Sequence, residues 1–281
     1  MKDTSVKKIL FTFLKLGLGV LAIFLILRKV DLNEVYEISK GVNIGLLLCA
    51  FLSFFISKIF AAFRLNTYYK TQGVDISDRL SIKLNIYGMF YNLFIPLAGG
   101  EGFKILWLKK RFEVKTKQLI LASLLDRVSG LVALLCLAFI FFPFTSLDLS
   151  FKWLIIFLIP LMYGAYLFVH HRFFKSFKVA WIKVNAFSIV VQALQVFTSF
   201  FILMALGVEE QVINYLFIFL LSCMAYVMPF VGARELAFVY GATYFGLDEE
   251  LSLTISLFFY LSTAITSLLG LYFLLNPKQL R

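Results

Sequence analysis

Apolar runs of about 20 residues recur along this chain without the strict alternation of a strand, and that length matches a helix crossing a bilayer. Read in order, they predict full spans at about 9–28, 43–63, 118–142, 151–169, 184–206 and 251–275. The composition agrees: 61% of the 281 residues are hydrophobic and 15% charged, against roughly 45–50% and 25% in a soluble domain. The fold class is therefore an all-α polytopic membrane protein, expected as a single integral domain over 1–281. No stretch of soluble-domain composition is left for an appended catalytic domain. Lys2, Lys7 and Lys8 precede the first run, but no small-residue cleavage site follows it, so it is read as a retained helix rather than a signal peptide.

Two apolar segments are broken. Residues 84–108 contain Asn92, Pro96, Gly99, Gly100, Glu101 and Lys104; residues 212–246 contain Pro229, Gly232, Arg234 and Glu235. Irregular backbone at membrane depth is tolerated only where protein buries it or a wet cavity receives it. The expected hinge residues are Pro96, Gly99, Gly100, Pro229 and Gly232. Gly99 and Gly100 are expected to take positive φ and to allow close backbone approach. A half-helix starting at Glu101 would then aim its N–H groups into a cavity.

Loop charge sets the orientation. A basic loop with Arg64, Lys70, Arg79 and Lys83 and another with Lys109, Lys110, Arg111, Lys115 and Lys117 flank the first broken segment. By the positive-inside rule both are cytoplasmic, and the segment between them is re-entrant. Acidic links at 207–211 and 247–250 flank the second, which should enter from outside. The N- and C-termini are then cytoplasmic. Each half, about 1–142 and 151–275, reads span, span, re-entrant hairpin, span, with opposite orientation. Such an inverted repeat of two broken segments is the sequence pointer to a transporter-type site near the midplane.

The basic residues behind the net charge of +11 sit in short loops between apolar runs, so nucleic acid is not expected as a partner. Cys49, Cys136 and Cys223 lie in apolar runs, with neither disulfide nor metal spacing. His170 and His171 are adjacent in a basic loop and are read as a solvated pair. No Walker loop, dinucleotide-binding glycine pattern or metal cluster is present, so no catalytic residue, metal or cofactor is expected.

Ionisable residues within spans are costly and are functional candidates. They are Lys58, Glu101, Lys104, Asp126, Arg127, Arg234 and Glu235, with Asn92 beside them. Lys58 and Lys104 either join the site or snorkel to an interface. Asp126 and Arg127 point about 100° apart on one helix, so each needs a partner elsewhere. Glu101 and Glu235 are the natural partners of Arg127 and Arg234, and the two glutamates should approach each other and Arg127 near the middle of the membrane. The inventory, four cations against three carboxylates, suits a zwitterionic or phosphate-plus-amine head group; a structural ion-pair network is the alternative.

Asn92…Pro96-Leu-Ala-Gly99-Gly100-Glu101…Lys104, followed by Ala122-Ser-Leu-Leu-Asp126-Arg127-Val-Ser-Gly130, resembles the signature of the lysylphosphatidylglycerol synthase transmembrane-region family. Pro229, Gly232, Arg234 and Glu235 resemble its second motif, although the glycine run before Arg-Glu is shorter here. The family includes the flippase half of the bacterial multiple peptide resistance factor. The resemblance implies a bacterial or archaeal inner-membrane protein that moves a lipid between leaflets, in a short form without a fused synthase. The expected function is a non-enzymatic lipid flippase that holds a phospholipid or lipid-linked head group. Its rivals are an accessory scaffold for a lipid- or glycan-modifying enzyme and an intramembrane transferase. Membrane lipids are the expected partners, with a separate lipid-modifying enzyme and a second copy of the chain as further candidates.

Overall fold

The computed structural model describes residues 41–95, 99–225 and 233–280. The first expected span, 9–28, and the hinge residues Pro96, Pro229 and Gly232 lie outside them. The described residues are helical and contain no strand. Ten α-helices follow in order: α1 Ile44–Lys70, α2 Asp78–Asn92, α3 Gly99–Lys109, α4 Thr116–Phe141, α5 Leu158–Phe173, α6 Trp181–Ala205, α7 Val212–Ala225, α8 Ala233–Phe245, α9 Glu249–Leu268 and α10 Gly270–Leu275. A 3-10 turn over 152–157 carries the 16 residues of α5 to membrane-spanning length; another lengthens α6, and α10 lengthens α9. Five helical stretches, 44–70, 116–144, 152–173, 175–205 and 249–275, are long and apolar enough to cross a bilayer. The chain is a multi-pass membrane protein.

Local signals explain the helix ends. The Asn43 side chain accepts from Leu46 N–H at the start of α1, Ser77 accepts from Leu80 N–H at α2, and Asp248 accepts from Leu251 N–H at α9. Each side chain satisfies one backbone donor that the first turn leaves free. α1 ends only at Thr71-Gln72-Gly73, where Gly73 has φ 78°. Its 27 residues reach about 40 Å, well beyond the roughly 30 Å hydrocarbon core. Arg64 was expected in a cytoplasmic loop; instead it lies inside α1 and is buried. No helix-breaking residue occurs before Gly73 to release it.

The two broken segments form helical hairpins, α2–α3 and α7–α8. Their arms have 15, 11, 14 and 13 residues, about 16–22 Å each, too short to cross. In the first hairpin the arms touch backbone to backbone. A Cβ on Gly88 would stand 3.3 Å from the Gly100 carbonyl oxygen, and one on Gly100 would collide with the Gly88 carbonyl. Gly99 and Gly100 are therefore needed for close approach, as one of the two expectations held. The other is corrected: both are helical, without positive φ. The half-helix begins at Gly99, two residues before the expected Glu101.

α1 and α6 form the most extensive helix–helix contact. They run antiparallel, because Asn43 N–H donates to Ala205 O, Ser53 Oγ–H to Leu194 O and Arg64 to Ser188. Around this pair the contacts come in matched sets. α1 packs on α2 as α6 packs on α7; α3 on α4 as α8 on α9; α1 on α4 as α6 on α9; α4 on α7 as α9 on α2; and α4 on α6 as α9 on α1. Two apolar cores result. One gathers Tyr69, Leu84, Phe90, Leu108 and Leu119 around the first hairpin; the other gathers Phe54, Phe219, Phe238, Ile255 and Phe259 around the second.

The close glycine contact yields a stability test. Gly100→Ala should destabilise the protein by about 1–3 kcal/mol through overpacking. Gly102→Ala, with nothing within 4 Å of its added Cβ, should be neutral. Thermal unfolding of the two variants in detergent compares them directly.

Candidate functional site

Three groups of polar side chains occupy the helical interior. The first is a clamp. Arg64 Nε donates to Asp126 Oδ1 at 2.7 Å and Arg64 Nη2 to Asp126 Oδ2 at 3.0 Å, a bidentate pair joining α1 to α4. Arg64 Nη1 donates to Ser188 Oγ on α6 at 3.2 Å, and Ser188 Oγ–H donates to Ser129 Oγ at 3.2 Å. Gly130 leaves room for the guanidinium, since a Cβ there would lie 2.9 Å from Arg64 Nη1. Gln192 Nε2 donates to the Gly130 carbonyl at 2.9 Å. Three helices are thus fixed around one charge pair, which answers the need of Asp126 for a partner.

The second group stands at the start of α3. Asn92 Oδ1 accepts from Gly100 N–H at 2.8 Å, and Ile95 O accepts from Gly99 N–H at 2.9 Å. Asn92 is therefore the cap that satisfies the restarted helix. Lys104 Nζ donates to Glu101 Oε1 at 2.8 Å, one helical turn away. Lys104 is buried, so it does not snorkel. Glu101 Oε2 is also buried and has no hydrogen-bond partner among the described residues. Arg127 is close enough to act electrostatically on Glu101, and its side chain stays exposed. Tyr69 and Ser123 close this group, with their hydroxyls 3.4 Å apart.

The third group joins the chain's two halves. The Lys58 ammonium on α1 stands 4.3 Å from the centroid of the Phe54 ring. The Arg234 guanidinium on α8 stands 4.8 Å from that of Phe259. The two rings meet edge to face at 5.3 Å. Lys58 and Arg234 are near enough for their charges to act on each other, with Cys223 beside them. Aromatic faces attract both cations and help to hold them in an apolar setting. Glu235 lies within electrostatic reach of Tyr260.

The expectation of one cluster uniting Glu101, Glu235 and Arg127 is not met in that form. Glu101 falls in the group with Tyr69, and Arg234 in the group with Lys58. Eleven positions of α1 separate Tyr69 from Lys58, about 16 Å along the helix. Two stations replace the single cluster, and the Arg64–Asp126 clamp lies between them along α1.

Two buried groups escaped the sequence reading. Arg64 was grouped with loop cations, although the absence of any break before Gly73 was a signal for it. His170 was read as solvated, yet it is 1% exposed; it closes the last turn of α5 and packs near Tyr68 and Tyr166. Nothing in its local sequence announces that burial.

Among the described residues no group of His, Cys, Asp and Glu is placed to hold a metal ion. A separate open cleft of about 490 Å³ lies at one end, between the links around Gly207 and Gly246, and Glu209, Glu210 and Asp248 line it.

Residues 12–270 match the family model described as the lysylphosphatidylglycerol synthase TM region. Neither the curated proteins nor the solved structures gave a significant match.

The clamp makes a sharp prediction for stability. Removing one partner leaves a buried charge uncompensated, at a cost of about 3–5 kcal/mol. Arg64→Ala and Asp126→Ala should each destabilise on that scale. The double variant should be far less destabilised than the sum of the two, in a double-mutant cycle of denaturant unfolding.

Proposed function

The chain belongs to the lysylphosphatidylglycerol synthase transmembrane-region family, and from that premise we propose that it moves a phosphate-bearing lipid between leaflets. One observation carries the reading. Lys58 stands over Phe54 and Arg234 over Phe259, within electrostatic reach of each other, at the contact between the two halves of the chain. Two cations within reach of each other attract an anion of the cargo. A lipid phosphate supplies that anion while its acyl chains stay in the bilayer. Lys58 lies near the middle of α1, where a midplane station belongs.

The second station would serve the same cargo at another stage. Arg127 is its exposed cation, and Glu101, beside Lys104 and Ser123, is its acceptor. A head group with both phosphate and amine would use both. Asp126 acts at one remove, by fixing Arg64 between the stations. Asn92 and Lys104 hold Glu101 and the helix start in place.

The matched contacts support an inverted repeat that pairs α1–α4 with α6–α9. If both hairpins return to the side they enter, the spans α1, α4 and α5 separate the start of α1 from the start of α6. Three crossings reverse direction, which agrees with the antiparallel α1–α6 pair. One half rocking against the other around a fixed site is then the natural motion. The loop charges favour an inner-membrane orientation with both termini cytoplasmic.

The test is transfer of a fluorescent phospholipid in proteoliposomes. Lys58→Met, Arg234→Ala and Arg127→Ala should each lose at least about tenfold in rate, near 1.4 kcal/mol, with the protein still folded and inserted. Lys178→Ala, on the exposed 3-10 turn before α6, should transfer as the parent does. Unchanged transfer in all three site variants would overturn the proposal.

A further inference from the structure

At the end of α1 remote from Asn43, a second set of buried polar groups takes no part in that site. Tyr68 is 0% exposed, His170 1% and Tyr166 8%. The His170 ring lies 6.4 Å from that of Tyr68 and 5.9 Å from that of Tyr166, centroid to centroid. Both His170 ring nitrogens, Nδ1 and Nε2, are buried without a hydrogen-bond partner among the described residues. The Tyr68 and Tyr166 hydroxyls lie within reach of each other, with Ser129 beside the first and Asn185 beside the second. The neighbouring His171 differs, because its Nδ1 lies 2.9 Å from the Leu167 carbonyl.

Buried polar atoms normally have partners, and a cluster lacking them is where ordered water resides. Two hydroxyls and an imidazole offer both donors and acceptors to such water. Histidine is the side chain whose ordinary titration falls between pH 5 and 8. We propose that His170, Tyr68 and Tyr166 form an internal hydrated proton-binding site, in which water carries a proton to and from the His170 ring.

The surroundings define what a bound proton would meet. From α1, Tyr68 faces the ring, with Arg64 one turn deeper. From α4 come Asp126 and Ser129, both within reach of Tyr68. From α6, Asn185 lies beside Tyr166. The 3-10 turn 175–180 contributes Phe177, packed on Tyr68 at 5.8 Å, and the exposed cations Lys175 and Lys178. On α5 itself, His171 stands 5.6 Å away, and Arg172 is exposed. The cations beside the ring are solvated, while the nearest buried ion pair, Arg64–Asp126, is neutral as a unit. A proton on His170 would thus be held by water and the two hydroxyls rather than by a carboxylate. Tyr68 and Tyr166 both lie within electrostatic reach of Arg64. This site is independent of the transport reading, since none of its three residues is assigned to a lipid station.

The chain has two histidines, so nitrogen NMR of histidine-labelled protein can isolate the ring. In His171→Gln protein reconstituted in lipid, the His170 ring nitrogens should titrate reversibly and show contacts to water. In Tyr68→Phe and Tyr166→Phe, each on that background, the midpoint should move by about half a pH unit or more, because a partner of the water is lost. A ring locked in one neutral tautomer from pH 5 to 8, without water contacts, would overturn the proposal. So would a midpoint that neither substitution moves. A silent ring in a protein that still transfers lipid would sink this inference alone and leave the proposed function standing.

Discussion

Backbone that stops and restarts within a bilayer must find its hydrogen bonds in the protein itself, and the rest of this architecture follows from that requirement. The first hairpin shows how it is met. Asn92 caps Gly100, the Ile95 carbonyl receives Gly99, and the two arms close on each other where Gly88 meets Gly100. Arms this short cannot reach the far side. They deliver a helix start, with Glu101 and Lys104, into the interior instead. The hairpins need long helices to lean on, and α4 and α9 lie against both of them.

Charge inside the helices is handled in two ways. Arg64 and Asp126 are matched to each other with two hydrogen bonds, and Ser188 and Ser129 extend the network to α6. That is a closed arrangement, suited to fixing three helices. Lys58 and Arg234 instead each stand over an aromatic ring, within electrostatic reach of each other. The matched pair fixes three helices, whereas the two cations are the residues that the proposed lipid site draws on.

Much of this was legible in the sequence, for physical reasons that differ by residue. Apolar runs near membrane length located the five described spans, and Gly99 and Gly100 located the first hairpin. The 100° offset between Asp126 and Arg127 correctly separated them: one turns to Arg64, and the other stays exposed near Glu101. Arg64 was lost because basic residues just beyond a span look alike whether the helix ends or continues; only the distance to Gly73 tells them apart. Of the expected cluster, Arg127 does lie within electrostatic reach of Glu101, while Glu235 is placed by its reach to Tyr260, because spacing along a sequence does not give height along a packed helix. His170 was lost because its burial is made by α1 and the 175–180 turn, which are remote in sequence or separate in local pattern.

The central claim is that two hairpins enter from opposite faces around an antiparallel α1–α6 pair. Side-specific labelling of single cysteines in intact cells tests it most directly, in a background with Cys49, Cys136 and Cys223 replaced. Glu113→Cys lies in the exposed loop after the first hairpin, and Glu209→Cys in the exposed link before the second. The account predicts that a membrane-impermeant thiol reagent modifies position 209 in intact cells and position 113 only after the membrane is opened. Modification of both positions from the same face would contradict it.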